Sequence, residues 1–333
     1  MSDRLRLGVM GCASIAWRRM LPAAERTPGV DITAVAGRDP DRTERFAARF
    51  SADPMPDYAA LLEHPDVEAV YIPLPNALHR EWAHRAMRNG KHVLVEKPLT
   101  CCYRHSVELV AQARSSRRVL MENMTAPRHA QHKVVERLVA DGEIGALRSF
   151  SAAYGIPPLP AEDIRYRPEL GGGALLDLGI YAVRAAVRFA GPGLSVEGAV
   201  LRTDPETGVD TSGAALLRTP DGVDVHLAYG FEHAYTSGYT LWGSAGRITA
   251  TRTAAPPPEL RPELTVERKG ETRTIAAPAD DQDSATLAAF AAQVRGQEST
   301  AGHQAPTLRT ARLLDAIRAA ARPTAERPER RPR

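Results

Sequence analysis

Three short stretches of this 333-residue chain carry residue types that could do chemistry together. The first is the turn Gly8-Val-Met-Gly11-Cys-Ala13-Ser-Ile-Ala16. A dinucleotide fingerprint places glycine at the positions of Gly11, Ala13 and Ala16, for the tight turn, for backbone approach to a pyrophosphate and for packing of helix on strand. Only the first is glycine here, and the methyl groups of Ala13 and Ala16 are tolerable if the pyrophosphate rides slightly higher above the helix N-terminus. The second stretch is Glu96-Lys97-Pro98, closing the apolar run HVLVEKPL. Ligands of open parallel sheets bind beyond the carboxyl ends of the strands, which aims Lys97 into a crevice. Of 43 basic residues only four are lysine, Lys91, Lys97, Lys133 and Lys269, so drift in this composition would have put arginine there. The third is GGGALLDLGIY, which sets Asp177 and Tyr181 four residues apart on one helical face. Its glycines let backbone approach a ligand, while a capping aspartate and a core tyrosine are the structural alternative.

The end of the second strand selects the ribose. An NAD site places Asp or Glu there to bind the 2′-hydroxyl, whereas this chain has Gly37-Arg38, with Arg42 a turn further on. Arginine clamps a 2′-phosphate that an acid would repel, so the expected cofactor is NADP(H).

These residues need a frame, and hydropathy patterning supplies one. LRLGVMG, DITAVAG, AVYIPLP, KHVLVEKPL and RVLMEN alternate with amphipathic stretches, the rhythm of a parallel doubly wound sheet of about six strands. After QHKVVERLVADGEIG the rhythm changes to strand-like runs, RSFSAAYG, LSVEGAVLR, SGAALLRT, VDVHLAYG, YTLWGS and GRITATR. A four-proline excursion, TAAPPPELRPE, follows, and helices return at SATLAAFAAQVRG and PTLRTARLLDAIRAA. The expected fold is α/β: an N-terminal Rossmann-type parallel sheet over 1–123, then an α+β domain with a predominantly antiparallel open sheet over 124–320. Residues 321–333 read as a disordered basic tail. The content of 43% hydrophobic and 25% charged residues excludes a disordered or fibrous chain. Net charge is +3, but five arginines against two glutamates beyond Ala321 carry the excess, so no nucleic-acid footprint is expected. No apolar run approaches membrane length and the start lacks a signal peptide, so no membrane partner and a cytoplasmic location are expected. Cys12, Cys101 and Cys102 read as reduced thiols, with no metal-site spacing.

Together, the glycine turn, Glu96-Lys97-Pro98 and GGGALLDLG followed by Tyr181 resemble the Gfo/Idh/MocA family of sugar and cyclitol oxidoreductases, from Leu5 to about Ala320. Within it, GCASIAWRRMLPA, YIPLPNALHREW, EKPLT, DIRYRPELGGGALLDLGIY and FEHAYT are most similar to bacterial nucleotide-sugar 3-ketoreductases that build deoxysugars of glycosylated natural products, antibiotics among them. The resemblance implies a cofactor lying near Gly11, Ser14, Ile15, Arg38, Leu74, Pro75, Asn76, His79, Glu96, Lys97, Asn123 and Arg165. It implies hydride delivery to C3 of a TDP-linked keto-deoxyhexose. Lys97 would stabilise charge on the developing oxygen, and Tyr181 would pass its phenolic proton, its pKa lowered by the nearby cation. Asp177 would orient the substrate or hold Lys97. It also implies homo-oligomers, dimers or tetramers, joined through the open face of the second sheet. Many members carry histidine where Tyr181 stands, and TAPRH around Pro127 is less aromatic than in relatives; the tyrosine suits the ketoreductase subgroup. The competing readings are a dehydrogenase of a free sugar, cyclitol or dihydrodiol, and a catalytically silent cofactor-binding sensor.

Overall fold

The computed structural model describes residues 4–323. Six strands build the first sheet: β1 (Leu5–Met10), β2 (Val30–Ala36), β3 (Asp53–Met55), β4 (Ala69–Ile72), β5 (His92–Glu96) and β6 (Leu120–Asn123). They run parallel in the order β3-β2-β1-β4-β5-β6. Because the order reverses beside β1, the crevice at the carboxyl ends of β1 and β4 is the place where a ligand fits such a sheet. All four residues of β4 are buried, as expected for a strand covered by helices on both faces.

The second sheet has nine strands: β7 (Leu147–Gly155), β8 (Ser195–Thr203), β9 (Asp210–Arg218), β10 (Asp224–Gly230), β11 (Thr236–Gly243), β12 (Gly246–Thr251), β13 (Glu263–Arg268), β14 (Glu271–Ala276) and β15 (Ala321–Pro323). Their order is β14-β13-β12-β11-β7-β10-β9-β8-β15, antiparallel except for the pairs β7·β10 and β8·β15. One face packs Phe150, Tyr154, Leu227, Tyr229 and Tyr239 against the helix Ile180–Phe189. The other face is an open trough of about 940 Å³ lined by small residues such as Ala153, Ala214 and Ala228.

Several elements depart from the sequence expectation. β3 has three residues, one of them proline, and offers no alternation to read. β14 is an edge strand whose residues are mostly exposed. The expected tail begins instead as a strand, because the outer edge of β8 offers free backbone groups that pair with Ala321–Pro323 whatever their side chains; residues 324–333 of that tail lie outside the described residues. The helix Gln282–Val294, placed in the second domain by sequence order, inserts Leu287 and Phe290 into the core around Leu5, Leu7 and Phe50 of the first. The chain thus returns to the first sheet before its last helix, Ala301–Ala320, reaches the second. Among the described residues one helical stretch, Pro168–Phe189, is apolar and long enough to cross a membrane, and 72% of its most apolar window is buried inside the fold. The three cysteines are unpaired, and no group of three or more metal-ligating side chains occurs among the described residues.

Candidate active site

Between the two sheets lies a cleft of about 550 Å³, and most of the singled-out residues line it. Gly11, buried just behind its wall with φ +115°, has no room for a side chain, since an added Cβ would sit 2.8 Å from Cδ2 of the lining residue Leu74. Ala13, Ser14 and Ile15 line the wall where the next helix starts, and the first amide groups of a helix have no acceptor within it. Ala16 does not line the cleft; it is buried in the core behind the turn, which suits a position reserved for close packing. At the end of β2 a Cβ on Gly37 would meet Thr43 Oγ1 at 2.5 Å, so the chain passes close to the next helix and leaves Arg38 and Arg42 exposed, beyond the cleft proper. The acid beside them, Asp39, caps that helix by accepting from the Arg42 N–H at 3.1 Å.

Leu74, Pro75 and Asn76 continue the wall after β4. Asn76 Nδ2 donates to Gly171 O at 2.8 Å, and a Cβ on Gly171 would sit 2.7 Å from Cys101 Sγ. The glycine triplet is therefore where backbone of the second domain reaches the first. His79 lies outside the cleft: it is fully buried, with Nδ1 2.8 Å from Pro98 O and Nε2 2.7 Å from Leu74 O. Its place is to fix the backbone on both sides of the wall, and burial lowers its pKa.

At the centre, Lys97 Nζ donates to Asp177 Oδ1 at 2.7 Å and to Asp177 O at 3.0 Å. Arg165 Nε donates to the other carboxylate oxygen at 2.8 Å, and Arg165 Nη1 to Asp163 at 3.1 Å. Asp177 and Tyr181 reach the cleft from a π-helical turn, Leu175–Gly179, running into the α-helix Ile180–Phe189, a widened turn of the kind common at functional sites. Asp210 anchors its start by accepting from the Leu175 N–H at 2.6 Å. Lys97 Nζ stands 5.2 Å from the centre of the Tyr181 ring, which stacks on Tyr154 at 5.6 Å.

Burial works against every charge here, and pairing decides the outcome. Burial pushes Asp177 up, but the Lys97 and Arg165 charges outweigh it and hold its pKa at about 2. Burial pushes Lys97 down, but Asp177 outweighs it and keeps the ammonium charged beyond the usual lysine range. For Tyr181 burial wins: its pKa is raised, and the Lys97 charge offsets only part of that, contrary to the net lowering expected from the sequence. The phenol therefore keeps its proton at neutral pH. Glu96 is also raised by burial; its Oε1 accepts from Tyr71 at 2.7 Å and from Asn123 Nδ2 at 2.6 Å.

The residues fit a dinucleotide. Asn123 Oδ1 is buried at the cleft without a partner, an acceptor suited to a carboxamide N–H. Gly11 keeps the turn tight against Leu74 where a side chain would clash, and Arg38 and Arg42 stand exposed at the end of β2 with the neighbouring Asp39 occupied as a helix cap. Pro127 lines a small void of about 20 Å³ behind Tyr181, not the cleft. Arg18, Arg19, Asp163 and Tyr235, which the sequence reading did not assign, also line the cleft. The pair of arginines in AWRRM, the Asp163 that opens DIRYRPELGGG, and FEHAYT were their signals.

Comparison with known proteins agrees with this layout. A model of an oxidoreductase family with an NAD-binding Rossmann fold matches residues 5–124, and a model of the GFO/IDH/MocA C-terminal domain matches 132–249. The chain is 49% identical over 295 residues, 89% of each chain, to a dTDP-3,4-didehydro-2,6-dideoxy-alpha-D-glucose 3-reductase of Saccharopolyspora spinosa. It is 47% identical over 322 residues to a protein of that name from Streptomyces antibioticus, covering 96% of this chain and 98% of the other. The crystal structure of a 3-ketoreductase from Actinomadura kijaniata in complex with NADP and TDP-benzene superposes with a TM-score of 0.95 at 46% identity, covering 96% and 99%. Other structures of that ketoreductase carry replacements of one lysine by alanine or glutamate and of one tyrosine by phenylalanine.

Proposed function

The chain belongs to the Gfo/Idh/MocA family of oxidoreductases, and from that premise we propose that it is an NADPH-dependent reductase of the C3 ketone of a TDP-linked keto-deoxyhexose. The observation that carries this reading is the Lys97 ammonium fixed on Asp177 beside the protonated Tyr181 at the centre of the cleft. The chain's similarity to TDP-sugar 3-reductases over nearly its whole length supports it. The lysine and tyrosine replaced in the Actinomadura ketoreductase are separated along their chain by the same interval as Lys97 and Tyr181 here, which supports their assignment as the reacting pair.

NADPH, when bound, would supply the hydride that the carbonyl carbon takes up. Lys97 donates a hydrogen bond to the carbonyl oxygen as negative charge gathers there, with little reorganisation because Asp177 already aims it. Tyr181 gives its proton to that oxygen, and the Lys97 charge steadies the phenolate left behind. Arg165 fixes the second oxygen of Asp177, so the carboxylate orients the lysine rather than turning to the substrate. Ser14 and Ile15 would receive the pyrophosphate, Arg38 and Arg42 the 2′-phosphate, and Asn123 with Glu96 would border the nicotinamide. The reaction belongs to deoxysugar assembly for a glycosylated natural product, in the cytoplasm, where NADPH and sugar nucleotides are made. The trough on the second sheet, with Leu216 38% and Trp242 62% exposed on its outer face, is the surface through which copies associate.

Consumption of NADPH with a TDP-linked 3-keto sugar, set against the free sugar, tests the proposal. Reduction confined to the nucleotide-linked substrate is expected; turnover of free sugars or cyclitols alone would overturn it.

A further inference from the structure

One motif singled out in the sequence has no part in the chemistry above: Phe231-Glu-His-Ala-Tyr235-Thr, the turn joining β10 to β11. It is firmly held. His233 N–H donates to Ile156 O at 2.9 Å, and Ile156 N–H to Gly230 O at 3.1 Å. The His233 ring lies over two glycines; a Cβ on Gly230 would sit 2.5 Å from its Cε1, and one on Gly155 2.9 Å from its Cβ. Arg202 pairs with Glu232 on the outside. This anchored turn presents Tyr235 to the cleft with 49% of its surface exposed. The Arg252 guanidinium lies 4.9 Å from the ring centre, so the ring carries a cation on its surface and keeps open area for a second planar group.

Across the cleft, Arg19 is tied down by Asp283 at 2.8 Å and by Ala255 O at 3.2 Å. Its neighbour Arg18 is exposed, lines the same cleft and pairs with no acid among the described residues. An exposed aromatic ring and an exposed guanidinium without an acid partner, lining one cleft, suit a ligand that combines a flat ring with a polyanion. We infer that the rim formed by Tyr235 and Arg18 seats the nucleotide half of the substrate, the pyrimidine stacking on Tyr235 and the diphosphate lying against Arg18. This rests on the reading of the substrate as nucleotide-linked. With the sugar C3 at Lys97 and Tyr181, the nucleoside diphosphate has the remaining rim of the cleft, lined by Tyr235 and Arg18, to lie along. Outside the catalytic centre, Tyr235 is the aromatic ring that lines the cleft there. Stacking accepts any base, so this rim confers affinity for a nucleoside diphosphate, and the guanidinium recognises its phosphates.

The test uses the NADP-loaded enzyme and the nucleotide dTDP, titrated by calorimetry. Tyr235→Ala and Arg18→Gln should each weaken dTDP binding on the order of 10- to 100-fold. The same loss should appear in KM for the TDP-sugar rather than in kcat. Tyr235→Phe, which keeps the ring, should recover most of the affinity, and added salt should weaken binding to the wild type more than to Arg18→Gln. If the wild type binds dTDP and both variants bind it equally well, the seat lies elsewhere and the reductase reading stands. If the wild type neither binds dTDP nor reduces the TDP-sugar, the reductase reading itself falls and this seat with it.

Discussion

Replacing Asp177 by asparagine removes a negative charge from between two cations. Its Oδ1 lies 2.7 Å from Lys97 Nζ and its Oδ2 2.8 Å from Arg165 Nε, and its side chain and that of Lys97 are each 15% exposed. Those partners hold its pKa at about 2 against an ordinary 3.8. At roughly 1.4 kcal/mol per pH unit, that lowering is worth about 2 kcal/mol of stability. Because the folded value is the lower one, the contribution is present in full above the unfolded pKa and is lost as pH falls toward the folded one. Asparagine forfeits it near neutral pH and leaves Lys97 and Arg165 facing one another in a poorly solvated site. Removing one partner of a buried pair costs about 3–5 kcal/mol, and the access of water to this cleft puts the expected loss near the lower end, about 3 kcal/mol. Urea unfolding of the cofactor-free enzyme measures it. The double variant Asp177→Asn, Lys97→Met strands one cation fewer, so it should lose less than the sum of the single variants by about 1–2 kcal/mol. Single losses that add within about 0.5 kcal/mol would refute the reasoning. In Asp177→Asn, burial is left as the dominant influence on Lys97, so the alkaline fall of kcat/KM should move to lower pH.

Lys97→Met should keep NADPH binding, followed by fluorescence titration, while kcat falls about 10²- to 10⁴-fold; near wild-type rates would remove the lysine from the mechanism. Tyr181→Phe should lower kcat with an unchanged melting temperature, whereas a tyrosine that only packs would leave activity intact. NADPH should bind about one to two decades more tightly than NADH, and Arg38→Asp should reverse the order in titrations at one ionic strength. Equal binding of the two cofactors by the wild type would show that Arg38 points elsewhere. Asp210 carries the opposite sign to Asp177: burial raises its pKa to about 6 from 3.8, so its stabilising contribution is full at low pH and is lost as pH rises through about 6. Melting curves of the wild type should decline relative to Asp210→Asn between those two values, and parallel curves would contradict the assignment.

What the sequence made legible was set by how local each signal is. The glycine turn, the strand ending at Lys97 and the face shared by Asp177 and Tyr181 are written in contiguous residues, and each lies at or beside one cleft. The fold class was readable because buried parallel strands such as AVYI are continuous apolar runs. β3 and β14 lack that pattern, being exposed or interrupted by proline. Two features depend on tertiary packing alone. Arg165 stands twelve residues before Asp177, and its hold on that carboxylate emerges only when the turn around Asp163 folds over the helix start. The return of Leu287 and Phe290 to the first core follows from which surface was left uncovered, a fact that no window of local sequence contains. The direction of the Tyr181 shift was misjudged for a related reason: the cation is visible in the sequence, but the depth of burial that outweighs it is not.

The most direct measurement follows deuterium from 4-deuterated NADPH into a TDP-linked 3-keto deoxysugar, with the product examined by mass spectrometry and proton NMR. One deuterium at C3 of a sugar still joined to TDP, with the rate of label formation lowered about 10²- to 10⁴-fold in Lys97→Met, is the predicted result. Reduction at another carbon, label without dependence on Lys97, or no reduction of the nucleotide-linked ketone would contradict it.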